Sequence, residues 1–242
     1  MAGKPPNLQA VFHILFIVLI VRIAMKVRFI IDEDYDLATA KSMNFTKEQL
    51  GYAKKLYQIC PEEIEISKKS YQKSWDKIND KFSNYVKEKT GYDWFYPKYE
   101  CVVSTSVQGA SNWGEAPKIV RAMNQEEMQM RRIVAHEIIL SHFFEIYKRN
   151  YQKGGLTDDQ VWALAEIAAF ILTSTSDKTK EVENFWKSVC GWPPEFGYEH
   201  ITNLCEDLKK VYLKKGDFQE FIKEGIRMVK KYPNMNPSGL SE

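Results

Sequence analysis

The sequence predicts an α+β protein that is mostly helical, with a small antiparallel or mixed sheet. Stretches with apolar residues at helical spacing are long, whereas the segments rich in β-branched residues, which are typical of strands, are short and few. The chain has 242 residues, of which 44% are hydrophobic and six are tryptophan. This is enough apolar material for a sizeable core, so we expect a globular protein and not a disordered chain.

The chain divides into a hydrophobic leader over residues 1–24, one domain over residues 25–233 and a flexible tail over residues 234–242. The leader carries the run AVFHILFIVLIVRIA, interrupted by His13 and Arg22. A membrane-spanning helix needs about 20 apolar residues, and a cut after Ala24 would lack the small residues that signal cleavage requires. Three interpretations stay open: an over-extended start with Met25 as the natural first residue, a membrane anchor, or a cleaved signal.

Charge and cysteine usage limit the classes of function. The 34 basic and 32 acidic residues give a net charge of +2, whereas nucleic-acid binding normally needs a clear basic surplus. The four cysteines show no Cys-x-x-Cys spacing, and their small number is typical of a reducing compartment. We therefore expect no nucleic-acid partner and a cytoplasmic location. The alternative is anchoring through residues 9–24, which are the only expected membrane contact.

The first half of the domain is predicted to hold one strand and two helices. The strand covers residues 27–31 and ends in an acidic turn. The first helix begins at Thr46, where T-K-E-Q matches a capping box, and ends near Cys60. The second is a long helix over residues 62–89, since its apolar positions recur every three or four residues, and Gly91 ends it.

The second half alternates short strands and longer helices. YECVVSTS over residues 99–106 is predicted as a strand placed like an edge, followed by a loop with Gly109 and Gly114 as breakers and by the short strand KIVRA. A helix over residues 125–150 ends before Gly154-Gly155, and T-D-D-Q at Thr157 opens the next, which runs to residue 172. Further helices precede Gly191 and Gly216, and a last one runs from Asp217 to Pro233.

Two polar residues inside an apolar helix point to chemistry. The stretch RRIVAHEIILSHFFEIY, residues 131–147, places His136 beside Glu137, and its apolar residues cover nearly every direction around the helix axis. An unpaired buried polar group costs roughly 1–3 kcal/mol, so this pair needs partners. Glu166, on the following apolar helix, comes near His136 if the two helices form an antiparallel hairpin.

This order of elements resembles the gluzincin type of H-E-x-x-H zinc metallopeptidases, over roughly residues 95–172. In that family two histidines of one helix and a glutamate of the next bind Zn²⁺, and the glutamate after the first histidine activates a water. The resemblance implies His136 and Glu166 as metal ligands and Glu137 as the catalytic general base. It also implies a peptide or protein as substrate or partner.

The sequence departs from the gluzincin pattern at the second ligand, where Leu140 replaces histidine. His142 lies six residues after His136, about 240° round a regular helix, and only a π-bulge would re-aim it toward a metal. Two hypotheses follow. One is a zinc peptidase in which Glu137 polarises a metal-bound water. The other is a metal-free binding or structural module in which His136, Glu137 and Glu166 hydrogen-bond to one another. A chance match is the third interpretation.

Overall fold

The computed structural model describes residues 25–111, 117–173, 198–215 and 217–232. The predicted leader, the predicted tail, Gly114 and the helix expected before Gly191 lie outside these residues. Within the described ranges, the helices are too short or too polar to cross a bilayer.

The described residues form eight α-helices and four strands, numbered here in chain order. The strands are β1 (Lys26–Ile30), β2 (Lys98–Ser104), β3 (Gly109–Ser111) and β4 (Lys118–Ala122). The helices are α1 (Glu33–Ser42), α2 (Lys47–Ile59), α3 (Pro61–Asp76), α4 (Asn79–Thr90), α5 (Glu127–Asn150), α6 (Asp158–Thr173), α7 (Thr202–Lys215) and α8 (Phe218–Val229). The predicted α+β class, mostly helical with a small sheet, is confirmed, and the sheet is mixed.

The sheet has the strand order β1-β2-β4-β3. β1 pairs with β2 and β2 with β4 in parallel, while β3 runs antiparallel to β4. The prediction that residues 99–106 lie like an edge strand is therefore wrong. β2 is internal and its last four residues are buried, which explains why no charged residue occurs in this half of the strand.

The edge strand β3 forms where the sequence predicts a loop. Gly109 belongs to this strand and does not end it, because it pairs with Arg121 of β4. A Cβ on Gly109 would lie 2.8 Å from both Glu137 Oε1 and Ile133 Cγ2. The absence of a side chain at Gly109 lets β3 approach α5 closely.

The opposite edge of the sheet is covered by a side chain. Gln72 of α3 donates from Nε2 to the Val27 carbonyl of β1, and its Oε1 accepts from the Phe29 amide, both at 3.0 Å. The side-chain amide thus imitates a neighbouring strand at this edge and removes one donor and one acceptor from pairing with another chain.

The long helix predicted over residues 62–89 is wrong, because α3 ends at Asp76 and α4 begins at Asn79. The Trp75 indole donates to Asn79 Oδ1 at 3.0 Å, and Asn79 Nδ2 donates to the Met25 carbonyl at 2.7 Å. These bonds tie the turn to the start of β1.

Helix starts follow local capping signals. Thr46 and Gln49 form the predicted capping box of α2, and Thr157 and Gln160 exchange the same two bonds ahead of α6. The acidic turn predicted after β1 is instead the first turn of α1, whose N-cap Asp32 accepts from the Tyr35 amide at 3.0 Å.

The N-terminal part of α5 is anchored to α3 by side-chain hydrogen bonds. The Tyr71 hydroxyl accepts from the Gln125 amide at 2.7 Å and donates to the Ala122 carbonyl at 2.9 Å. Arg131 donates from Nε to Ser74 Oγ at 2.8 Å. These contacts fix the start of the helix that carries His136 and Glu137.

Candidate functional site

His136 and Glu166 meet in the interior between α5 and α6. His136 Nε2 lies 3.0 Å from Glu166 Oε2, and the two side chains are only 8% and 5% exposed. The Phe170 ring packs beside the imidazole with a centroid distance of 5.3 Å. The two predicted ligands are therefore brought together, at a distance where each can satisfy the other electrostatically.

Glu137 and Glu166 line one cavity of about 490 Å³. Its walls come from α1, β3, β4, α5, α6 and a segment just before α7. The described lining residues are Tyr35, Ala38, Thr39, Ser42, Met43, Gly109, Ala110, Ser111, Val120, Glu137, Leu140, Phe144, Trp162, Glu166 and Tyr198. The volume is in the range of pockets that bind small ligands or side chains.

Leu140 also lines this cavity and is only 3% exposed. It lies one helical turn after His136, where the gluzincin pattern places a second histidine. A leucine side chain has no lone pair for a metal. Across the described ranges, no three His, Cys, Asp or Glu side chains gather in a metal-binding arrangement. The residues present therefore do not fit the three-ligand zinc centre that the resemblance implies.

His142 lies away from the cavity. Its ring packs on Trp94 and Phe95, with centroid distances of 4.4 and 5.3 Å. α5 is α-helical throughout Glu127–Asn150, so no π-bulge re-aims His142 toward His136. Burial lowers the pKa of His142 to about 3, against a smaller opposing effect of Asp93. In the described structure its environment is that of a neutral core residue.

Arg121 of β4 is a buried cation near Glu137 that the sequence did not single out. It donates to the Gln108 carbonyl and, at 2.8 Å, to Gln125 Oε1. Burial lowers the pKa of its guanidinium, and neighbouring groups that include Glu137 oppose this shift. The positive charge of Arg121 thus offsets part of the negative charge of Glu137. Nothing in the local sequence KIVRA indicates that this arginine is buried or lies near the site.

One cavity wall, α1, is held in place by a buried carboxylate. Asp36 accepts from the Tyr57 hydroxyl at 2.8 Å and from the Thr105 amide at 3.1 Å. This network joins α1 to α2 and to the end of β2. The start of α1 could have been found from the sequence, since Asp32 followed by acidic residues is a helix-start signal, but its place beside the cavity could not.

Another wall of the cavity is aromatic and is formed by residues that are distant in sequence. Trp162 of α6 and Tyr198 meet edge-to-face with a centroid distance of 5.2 Å. His200 stacks on Trp162 with a ring-centroid distance of 6.1 Å and an interplanar angle of 9°. Its role in the described structure is packing against the tryptophan that lines the cavity.

Gly109→Ala is expected to lower the free energy of unfolding by about 1–3 kcal/mol, because the added methyl overlaps Ile133 and the Glu137 carboxylate. Gly51→Ala is the matched control. Gly51 lies inside α2 with open space around its missing Cβ, so we expect a gain of up to about 1 kcal/mol. Urea unfolding measures both. Equal stability of the two variants would contradict the close approach of β3 to α5.

No family model, curated protein or solved structure matches this chain.

Proposed function

We propose that this chain is a metal-free, catalytically inactive module with a gluzincin-like helix pair, and that it binds an extended peptide or protein segment. The observation that carries the proposal is Leu140, which is buried, lines the cavity and stands at the position where the peptidases need a ligand nitrogen. With leucine there, His136 and Glu166 alone would hold zinc weakly compared with the usual three or four ligands.

The contact between His136 and Glu166 gives the pair a structural role without metal. The 3.0 Å approach lets an imidazole and a carboxylate stabilise each other where water is scarce. This contact supports the part of the metal-free hypothesis that pairs His136 with Glu166.

The position of β3 supports an extended ligand. β3 is last in the strand order, so its outer side pairs with no strand among the described residues, and its three residues line the cavity. An added strand gains backbone hydrogen bonds at such an edge, while neighbouring pockets select its side chains. A peptide beside β3 would place one side chain in the cavity.

The test of the metal-free state is zinc affinity, measured by competition with a chromophoric chelator. We expect the unmodified chain to retain no stoichiometric zinc after dialysis. Leu140→His restores a third ligand on the His136 face of α5, so we expect zinc affinity to rise about a hundredfold or more.

Leu213→His is the matched control, since it adds a histidine at an exposed position of α7. It should leave zinc affinity unchanged. Stoichiometric zinc in the unmodified chain, lost in both His136→Ala and Glu166→Ala, would overturn the proposal in favour of the zinc peptidase. If Leu140→His does not raise the zinc affinity, the resemblance of α5 and α6 to the peptidase helix pair loses its support.

A further inference from the structure

We infer that the cavity selects a lysine or arginine side chain of the bound peptide, with the cationic group placed between Glu137 and Glu166. This inference rests on the proposed function and names the chemistry of the ligand. It uses two carboxylates that the metal-free module no longer needs for hydrolysis.

The charge of the lining favours a cation. Two of the described lining residues are glutamates, and none is lysine, arginine or histidine. Both glutamates are buried, Glu137 at 8% and Glu166 at 4% exposure. A carboxylate with so little water gains more from a bound cation than an exposed one does.

None of the described basic residues near the two glutamates lines the cavity. His136 contacts Glu166 but does not line the cavity, and it carries a charge only when protonated. Arg121 points two of its nitrogens to Gln108 and Gln125. Lys118, at the α1 wall, is paired with Asp32 at 2.6 Å. Arg121 and Lys118 are thus hydrogen-bonded to groups other than the two glutamates, and His136 contacts Glu166 from outside the cavity lining.

The aromatic walls suit an alkyl chain that ends in a positive charge. Tyr35, Phe144, Trp162 and Tyr198 line the cavity together with Leu140. Apolar and aromatic surfaces cover the methylene groups of lysine or arginine, and ring faces attract the cationic end. The wall already shows this contact, since Lys118 Nζ lies 4.4 Å from the centre of the Tyr35 ring. A hydrated metal ion would gain little from such walls.

A peptide that pairs with β3 as an added strand would place one of its side chains beside Glu137. Glu137 Oε1 lies within 2.8 Å of the position that a Cβ on Gly109 would occupy. Side chains of an added strand alternate between the two faces of the sheet. One residue of a peptide paired with β3 therefore faces α5 beside Glu137, and its neighbours face away.

The experiment compares three peptides by fluorescence anisotropy on the full chain. Each alternates serine and threonine, has blocked ends to remove terminal charges, and carries lysine, norleucine or glutamate at its centre. We expect the lysine peptide to bind at least about tenfold tighter than the norleucine peptide, and the glutamate peptide to bind weakest. n-Butylamine, the same cation without a peptide backbone, should compete poorly.

Charge-removing variants locate the effect. Glu137→Gln and Glu166→Gln should each bring the lysine and norleucine affinities close to equality. Glu206→Gln, which removes one charge from a half-exposed carboxylate of α7, should keep the preference for lysine. The peptide comparison itself uses the unmodified chain, so it does not depend on the folding of any variant.

The outcomes separate the two proposals. Equal binding of the lysine and norleucine peptides would overturn the cationic preference and leave peptide binding intact. Binding of n-butylamine as tight as that of the lysine peptide would overturn the peptide as the source of the cation. Binding of none of the three peptides would overturn the proposed function itself.

Discussion

Replacing His136 with leucine is expected to lower the free energy of unfolding by about 3 kcal/mol. The substitution removes the group that lies 3.0 Å from Glu166, a carboxylate that is only 4% exposed. Breaking a buried pair by removing one partner costs about 3–5 kcal/mol, because the other charge stays buried without compensation. The lower end of that range applies here because Glu166 also lines the cavity and is not fully enclosed by protein.

The double variant His136→Leu/Glu166→Met should regain most of this loss, since buried pairs replaced by apolar residues of similar volume are often neutral in stability. Unfolding in urea of the two single variants and the double variant gives the coupling energy. If the two single losses add to within about 0.5 kcal/mol, the two residues do not form a structural pair and the metal-free proposal loses the support of this contact.

Acidification is expected to destabilise the protein through His142. Burial lowers the folded-state pKa of this imidazole to about 3, from an ordinary value of 6.5. Between these values the unfolded chain binds a proton that the folded chain does not, so stability falls as pH decreases from 6.5 toward 3. The slope for one such group is about 1.4 kcal/mol per pH unit.

His142→Phe isolates this effect because it keeps an aromatic ring against Trp94 and Phe95 but cannot bind the proton. The free energy of unfolding of both proteins is measured from pH 8 to pH 4, and the difference between them should widen below pH 6.5. Carboxyl groups such as Asp32, whose pKa is lowered by its bond to Lys118, titrate in both proteins and cancel. Parallel curves would show that His142 takes up protons in the folded state.

The sequence predicts much of the framework because many of its signals are local. A capping box involves four consecutive residues, and both predicted boxes, at Thr46 and Thr157, form as expected. Gly91 ends α4 with a positive φ, as a glycine after a periodic stretch indicates. β2 and β4 follow from short runs of β-branched residues. Each of these features depends on few residues and little on the rest of the molecule.

The missed features depend on contacts between distant segments. The break between α3 and α4 is held by the bond from Asn79 to Met25, and no glycine or proline marks it. β3 is a strand because β4 lies beside it and because Gly109 fits against α5. Its three residues, Gly-Ala-Ser, have no strand preference of their own.

The candidate site also has one part that the local sequence predicts and one part that depends on distant segments. Helical periodicity and the short connection to the next helix predict that His136 and Glu166 approach each other, and they do. The walls around them come from α1, β3 and Tyr198, which are separated by many residues in sequence. Periodicity within one segment carries no information on such partners, so the cavity and its aromatic lining could not be derived from the chain alone.

The side chain of Gln72 bears on how copies of this protein can associate. A sheet with two open sides can add neighbours without limit and grow into a fibre. Here the amide group of Gln72 occupies part of the first strand's outer side, and only the last strand in the order remains available within the described chain. A second copy would therefore pair more readily with β3 than with β1, and a ligand beside β3 would compete with that copy.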